Sequence, residues 1–210
     1  MIERPIIVLG TPRSGTSLTA GLLHHCGVWA GECRQADQWN PRGYFENIAL
    51  TQLRKNRALS LESVKRALEN EGYQGGPWLY KSTPWSWRFW EPFNPFWVLV
   101  RRPSEAVLVS RKRGPWFDET EAEARSVVQR DLDLMNQIVK CYPDTVINVD
   151  GHVLVSDRNA RVALADACGL DYTAAADSFV DGSLWHGVNY GGAVVYRDHE
   201  ASKVASGSVE

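Results

Sequence analysis

IIVLGTPRSGTS, residues 6–17, joins a short apolar run to a glycine-rich turn. Ile6 to Leu9 suits a strand buried on both faces, because it is continuous, apolar and mostly β-branched. Gly10 and Gly15 then stand at the spacing of a phosphate-cradling loop, G-x-x-x-x-G-K-[ST], with Thr16 at the lysine position. Such a loop bends around an oxyanion, and the amides of residues 13–17 open a helix whose dipole favours negative charge. Thr16 and Ser17 add hydroxyl donors, and Arg13 supplies a fixed cation two residues before the missing lysine. The alternative is a glycine-rich turn in some other α/β protein, since a short motif alone is not decisive. Ordinary ATP chemistry relies on that lysine and on magnesium. The nearest Asp-ended apolar strand, VINVD ending at Asp150, comes late in the chain.

Outward from the loop, strand and helix patterns alternate. SLTAGLLHHCGV has helical spacing and stops at Gly27. A polar loop runs from about Gly31 to Phe45, and Asn47 to Glu71 reads as one long amphipathic helix. WLYK (78–81) and FWVLV (96–100) read as strands, with WSWRFWEPF between them a short helix broken by Pro92 and Pro95. A helix begins at about Ser104, and another runs from Glu119 to Val139 with acidic residues in its first turn. VINV (146–149) is a further strand, and Arg158 to Cys168 a further helix ending at Gly169. This alternation predicts an α/β fold with a mainly parallel sheet. Residues 1–196 read as a single domain, followed by a polar, flexible tail over 197–210.

The 210 residues suffice for one well-buried core. A net charge of −2 provides no global field for nucleic acid. Cys26, Cys33, Cys141 and Cys168 form no CxxC pair or metal-ligand spacing and read as reduced thiols. With no apolar run of spanning length and no leader pattern, the expectation is a soluble, cytoplasmic protein. Six of the nine tryptophans lie between Trp78 and Trp116, and packing is the reading for most of them.

FWVLV delivers the chain to Arg101, Arg102 and Pro103, where a helix begins. Strand ends of this kind hold ligand contacts in open α/β sheets. Two arginines at a helix N-terminus oppose its dipole, which weakens their reading as mere surface charge. With Ser110 and Arg111 two turns on, they could surround a second phosphate.

GTPRSGTS and VLVRRPSEAVLVS together resemble the two signatures of sulfotransferases that use 3′-phosphoadenosine 5′-phosphosulfate. NPRGYFEN (40–47), YKSTP (80–84) and SFVDGSLWH (178–186) resemble the bacterial branch of that family, so the likeness spans roughly Ile6 to His186. It implies a three-layer, P-loop nucleoside triphosphate hydrolase-like fold and sulfuryl transfer to a hydroxyl or amine, with no metal required. Arg13, Ser14, Gly15, Thr16 and Ser17 match the loop for the 5′-phosphosulfate. Arg101 matches the 3′-phosphate arginine and Ser110 its serine partner. The interval from Arg101 to Ser110 is one residue longer than usual, which leaves open whether Arg102 takes part. The late Arg-Lys-Gly-x-x-Gly loop of the animal cytosolic enzymes is missing, and GVNYGG (187–192) lies in a similar place.

Such chemistry needs cations on the leaving oxygens, an in-line acceptor and a general base. Arg13 and Lys81 are the candidate cations, and Lys81 resembles the Lys-x-x-Pro lysine of relatives. Glu46 is the leading base, with Glu32 and then His186 behind it, while His24 and His25 read as helix packing residues. The implied acceptor is a small molecule, carbohydrate or lipid, and Trp29, Trp39, Tyr44 and Trp85 could wall its site or belong to the core. The competing readings are a nucleotide or small-molecule kinase, and a nucleotide-binding module without turnover.

Overall fold

The structure, a computed structural model, describes residues 3–113 and 118–185. The expected tail over 197–210, His186 and GVNYGG lie outside the described residues. In chain order the elements are β1 (Pro5–Leu9), α1 (Thr16–His25), α2 (Ile48–Lys55), α3 (Leu61–Asn70), β2 (Trp78–Ser82) and β3 (Phe96–Arg101). They continue with α4 (Ser104–Arg111), α5 (Glu121–Cys141), β4 (Val146–Asp150), α6 (Gly151–Ser156), α7 (Arg158–Ala167) and α8 (Ala174–Phe179).

The four strands form one parallel sheet in the order β2-β1-β3-β4. Because side chains alternate along a strand, each strand feeds two cores. Ile6, Val8, Leu79, Val98, Val100, Ile147 and Val149 pack under α1, α6, α7 and α8. Ile7, Leu9, Trp78, Tyr80, Trp97, Leu99 and Val146 pack under α2, α3 and α5. This is the expected three-layer α/β arrangement, and it makes β1 buried on both faces. Trp78, Trp90 and Trp97 are fully buried in the second core. An aromatic ring removes roughly 150–250 Å² from water, about 4–6 kcal/mol of transfer free energy as an upper bound.

The predicted single helix over Asn47–Glu71 is two helices. Arg57 takes a left-handed φ of 54°, and Ser60 starts α3 with a capping box shared with Ser63. A serine three residues before another serine makes the second start cheaper than continuing through NRALS. WSWRFWEPF forms two 3₁₀ turns, Pro84–Phe89 and Glu91–Phe93, because Pro84 and Pro92 each open one. The short helices α6 and α8 carry too few residues for a periodic signal, and their caps, Asp150 and Thr173, are the features that announce them. No disulfide joins Cys26, Cys33, Cys141 and Cys168 among the described residues, and no helix among them is long and apolar enough to cross a membrane.

Parallel pairing brings the C-terminal ends of all four strands to one edge of the sheet. After β1 the chain moves to one side to make β2, then returns across β1 to make β3. The crevice at such a switch in strand order is where open α/β sheets receive ligands.

Candidate active site

The loop after β1 is shaped by two unusual backbone conformations. Gly15 has φ 108° and Arg13 has φ 79°. Glycine takes the left-handed region at no steric cost, whereas arginine does so only when its surroundings hold it there. Here they do. Arg102 Nη1 donates to the Arg13 carbonyl at 2.9 Å, and Arg13 Nε donates to Ser110 Oγ at 3.1 Å. The loop is thus tied to the end of β3 and to α4, 89 and 97 residues along the chain. Gly10 permits the close approach beneath it: a Cβ there would come within 2.6 Å of both Ser14 Oγ and the Val100 carbonyl oxygen. Ser14 itself lies under the loop, and its hydroxyl is buried with no hydrogen-bond partner among the described residues. Beyond Gly15, α1 begins at Thr16, so its first-turn amides have no acceptor within the helix.

Above the loop is a cavity of about 580 Å³. The loop contributes Arg13, Gly15, Thr16 and Ser17, and β2, β3 and α4 bring Lys81, Arg102 and Ser110. Arg42 and Arg113 add two more cations, against two carboxylates among the described residues, Glu46 and Asp181. Arg42 and Asp181 pair at 3.6 Å, with both side chains substantially exposed. Burial lowers the Arg13 guanidinium from its ordinary value, partly offset by Tyr44, with Arg113 pushing the same way as burial. Burial likewise lowers Arg102, helped by the neighbouring Arg13. Crowded, partly desolvated arginines of this kind form a site that an anion relieves.

Lys81 is the innermost of these cations, with its side chain 8% exposed. Its Nζ donates to Glu46 Oε1 at 2.7 Å and lies 3.4 Å from Ser17 Oγ. Period-two alternation puts Lys81 on the Leu79 face of β2, toward α1 and the loop. Glu46 stands just ahead of Asn47, which caps α2 by accepting from the Leu50 amide at 2.8 Å. That cap fixes where Glu46 enters the cavity.

The same alternation separates the two adjacent arginines. Trp97 and Leu99 face α5, and Arg101 follows them. Its Nε donates to Asn148 Oδ1 at 2.6 Å and its Nη2 to Asn136 Oδ1 at 2.9 Å. Arg102 follows Val98 and Val100 toward α1, is buried, and lies over the Trp185 ring at 4.3 Å from its centroid. Of the two adjacent arginines at the end of β3, it is Arg102 that lines the cavity, while Arg101 sits against the opposite layer. Counted from Arg102, the interval to Ser110 is one residue shorter, a clue present in the sequence itself.

Other candidates fall elsewhere. Glu32 is exposed and lines neither this cavity nor its neighbour, and its amide donates to Glu71 Oε2. His24 Nδ1 lies 3.0 Å from the Val28 carbonyl, and His25 packs on Phe179. Asp150 spends its carboxylate on capping α6, accepting from the His152 and Val153 amides. Trp39 and Tyr44 line the cavity, whereas Trp29 packs on Tyr73 away from it. Trp185 is the residue that sequence reasoning passed over in favour of His186: it donates from Nε1 to His152 Nδ1 and packs against the loop at Gly15. Among the described residues no three His, Cys, Asp or Glu side chains gather into a metal-ligating group.

A second, smaller cavity of about 190 Å³ shares Pro12, Thr16, Glu46 and Lys81 with the first. Its remaining wall is Thr51, Arg54, Tyr80, Ser82 and Thr83, together with Gly10. The Lys81–Glu46 pair therefore stands where the two spaces meet.

No family model matches the chain, and no curated protein matches it by sequence. Among solved structures it resembles sulfotransferase STF1 from Mycobacterium tuberculosis H37Rv, with a TM-score of 0.60 and 18% identity over 86% of this chain and 71% of that one. At that identity the likeness is one of fold, and it identifies the chain's architecture as the P-loop-like α/β fold of that sulfotransferase.

Proposed function

We propose that this chain is a sulfotransferase that moves a sulfuryl group from 3′-phosphoadenosine 5′-phosphosulfate to a hydroxyl or amine of an acceptor. The observation that carries the reading is the junction of Arg13, Ser110 and Arg102, where the phosphate loop and the end of β3 meet in one cationic cavity. A nucleotide with phosphates at both ends of its ribose needs two such anion sites side by side. The residues suit it: the Gly10–Gly15 cradle and α1 amides for the 5′ end, Arg102 and Ser110 for the 3′-phosphate.

The division of labour follows from the contacts. Arg13 and Lys81 neutralise charge that grows on the bridging and leaving oxygens as the sulfur–oxygen bond breaks. That leaving group is an anionic phosphate, so side-chain cations meet its needs. Glu46 accepts the acceptor's proton as the new oxygen–sulfur bond forms, from the place where donor and acceptor spaces meet. Before the donor binds, Lys81 is held between Glu46 and Ser17. A bound phosphosulfate competes for that ammonium and frees the Glu46 oxygen for the incoming proton.

Calorimetric titration with 3′-phosphoadenosine 5′-phosphate in chelator, beside ATP with magnesium, tests the reading. Binding of the bisphosphate without metal, with ATP–Mg²⁺ much weaker, supports it. Binding of ATP–Mg²⁺ while the bisphosphate is ignored overturns it in favour of a kinase.

A further inference from the structure

The smaller cavity holds a cation that the donor does not need. Arg54, near the end of α2, is held from two sides. Its Nε donates to Tyr80 Oη at 3.1 Å, and its guanidinium lies over the Trp85 ring, 4.7 Å from the centroid. Tyr80 Oη is itself fixed by Thr51 Oγ1 at 3.2 Å. No carboxylate pairs with Arg54 among the described residues, and only its Nε is engaged in a hydrogen bond there. The carboxylate in this cavity, Glu46, is bound to Lys81. A position in the last turn of a helix favours a cation, but it does not explain a guanidinium stacked and pinned beside a small, partly open cavity.

We propose that Arg54 is the acceptor's anchor: the enzyme sulfates a hydroxylated compound that also carries an anionic group, carboxylate or phosphate, which the Nη1 and Nη2 donors of Arg54 grip while the hydroxyl reaches Glu46. The inference rests on the sulfotransferase reading and names the acceptor class for that same site. A stacked, planar guanidinium is pre-organised for two parallel hydrogen bonds to one anion, so less entropy is lost on binding. A space of about 190 Å³ is below the usual range for a whole small-molecule ligand. It fits one charged end of an acceptor whose reacting end lies over the Lys81–Glu46 pair. Tyr80 and Thr51 give that end further hydroxyl partners.

The test uses the intact protein saturated with 3′-phosphoadenosine 5′-phosphate and titrated by calorimetry with matched probes. These are glucuronate and glucose 6-phosphate against glucose, and 4-hydroxyphenylacetate against its amide. Wild type is expected to bind the anionic member of each set at least about tenfold more tightly, since a charged hydrogen bond is worth roughly 1.5–3 kcal/mol. R54Q loses that preference, R54K keeps part of it, and the two anions on glucose separate carboxylate from phosphate. Equal binding of neutral and anionic probes, an unchanged preference in R54Q, or no binding of any anionic probe overturns the proposal. The preceding titration of the nucleotide alone reports on the donor reading separately: failure there refutes sulfuryl transfer, whereas success there with failure at Arg54 refutes only the acceptor class.

Discussion

Replacing Arg102 and Arg101 in turn separates two side chains that the sequence sets next to each other and the sheet sends to opposite faces. Arg102→Ala removes a guanidinium that lines the cavity and holds the Arg13 carbonyl at 2.9 Å. If it grips the 3′-phosphate, the loss is that of at least one charge-assisted hydrogen bond, roughly 1.5–3 kcal/mol, or about a 10- to 150-fold weaker Kd. The brace on the left-handed Arg13 is lost as well, a further cost of about 1 kcal/mol in folding and roughly 2–4 °C in Tm. Arg101→Ala breaks its contacts with Asn148 and Asn136 on the far side of the sheet. It lowers Tm by a similar amount and leaves nucleotide affinity within about twofold, because a distant, partly exposed contact couples weakly to the site. Calorimetry with 3′-phosphoadenosine 5′-phosphate gives the affinities and thermal unfolding gives the stabilities. Loss of affinity in Arg101→Ala with Arg102→Ala unaffected would refute the strand-parity argument, and equal losses in both would refute it too.

Glu46→Gln keeps the side chain's shape and removes its ability to accept a proton. Turnover with any competent acceptor falls by about 10²- to 10⁴-fold, while the nucleotide Kd is not weakened, since Lys81 is released toward the donor; unchanged turnover would remove Glu46 from the chemistry. Asp131 on α5 is 1% exposed, and burial raises its carboxyl above the ordinary range, with Arg130 and Arg111 pulling it back. A raised folded value means that full stability exists below the unfolded value of 3.8 and falls as pH rises through the folded one. Asp131→Asn is therefore more stable than wild type at neutral pH, and chemical denaturation across pH should show the gap closing below about pH 4. A gap that is independent of pH would contradict this.

Much of the fold was legible because it depends on local pattern. The β-branched run before Gly10, the strand FWVLV and VINV each announced a strand, and all three lie within one sheet. The Asn47–Glu71 segment was misjudged because its amphipathic spacing carries across the break, and the Ser60–Ser63 cap that ends it is a two-residue signal. In the site, Arg13, Gly15, Thr16, Ser17, Lys81, Glu46 and Ser110 line one cavity, while Ser14 is buried beneath the loop. Which of Arg101 and Arg102 joins them is a matter of side-chain parity along β3, a rule available from the sequence once the buried partners of Val98 and Val100 are known. Arg54 and Trp185 were illegible for a different reason. Their roles come from contacts with Tyr80, Trp85 and Arg102, which tertiary packing alone brings near.

The account turns on two anion sites inside one cavity, and comparing 5′-AMP with 3′-phosphoadenosine 5′-phosphate on the wild-type protein isolates the second of them. The two nucleotides differ by the 3′-phosphate alone. Calorimetry in chelator should find the bisphosphate tighter by at least about tenfold, the worth of one charge-assisted contact at Arg102. Equal affinities for the two would contradict the account.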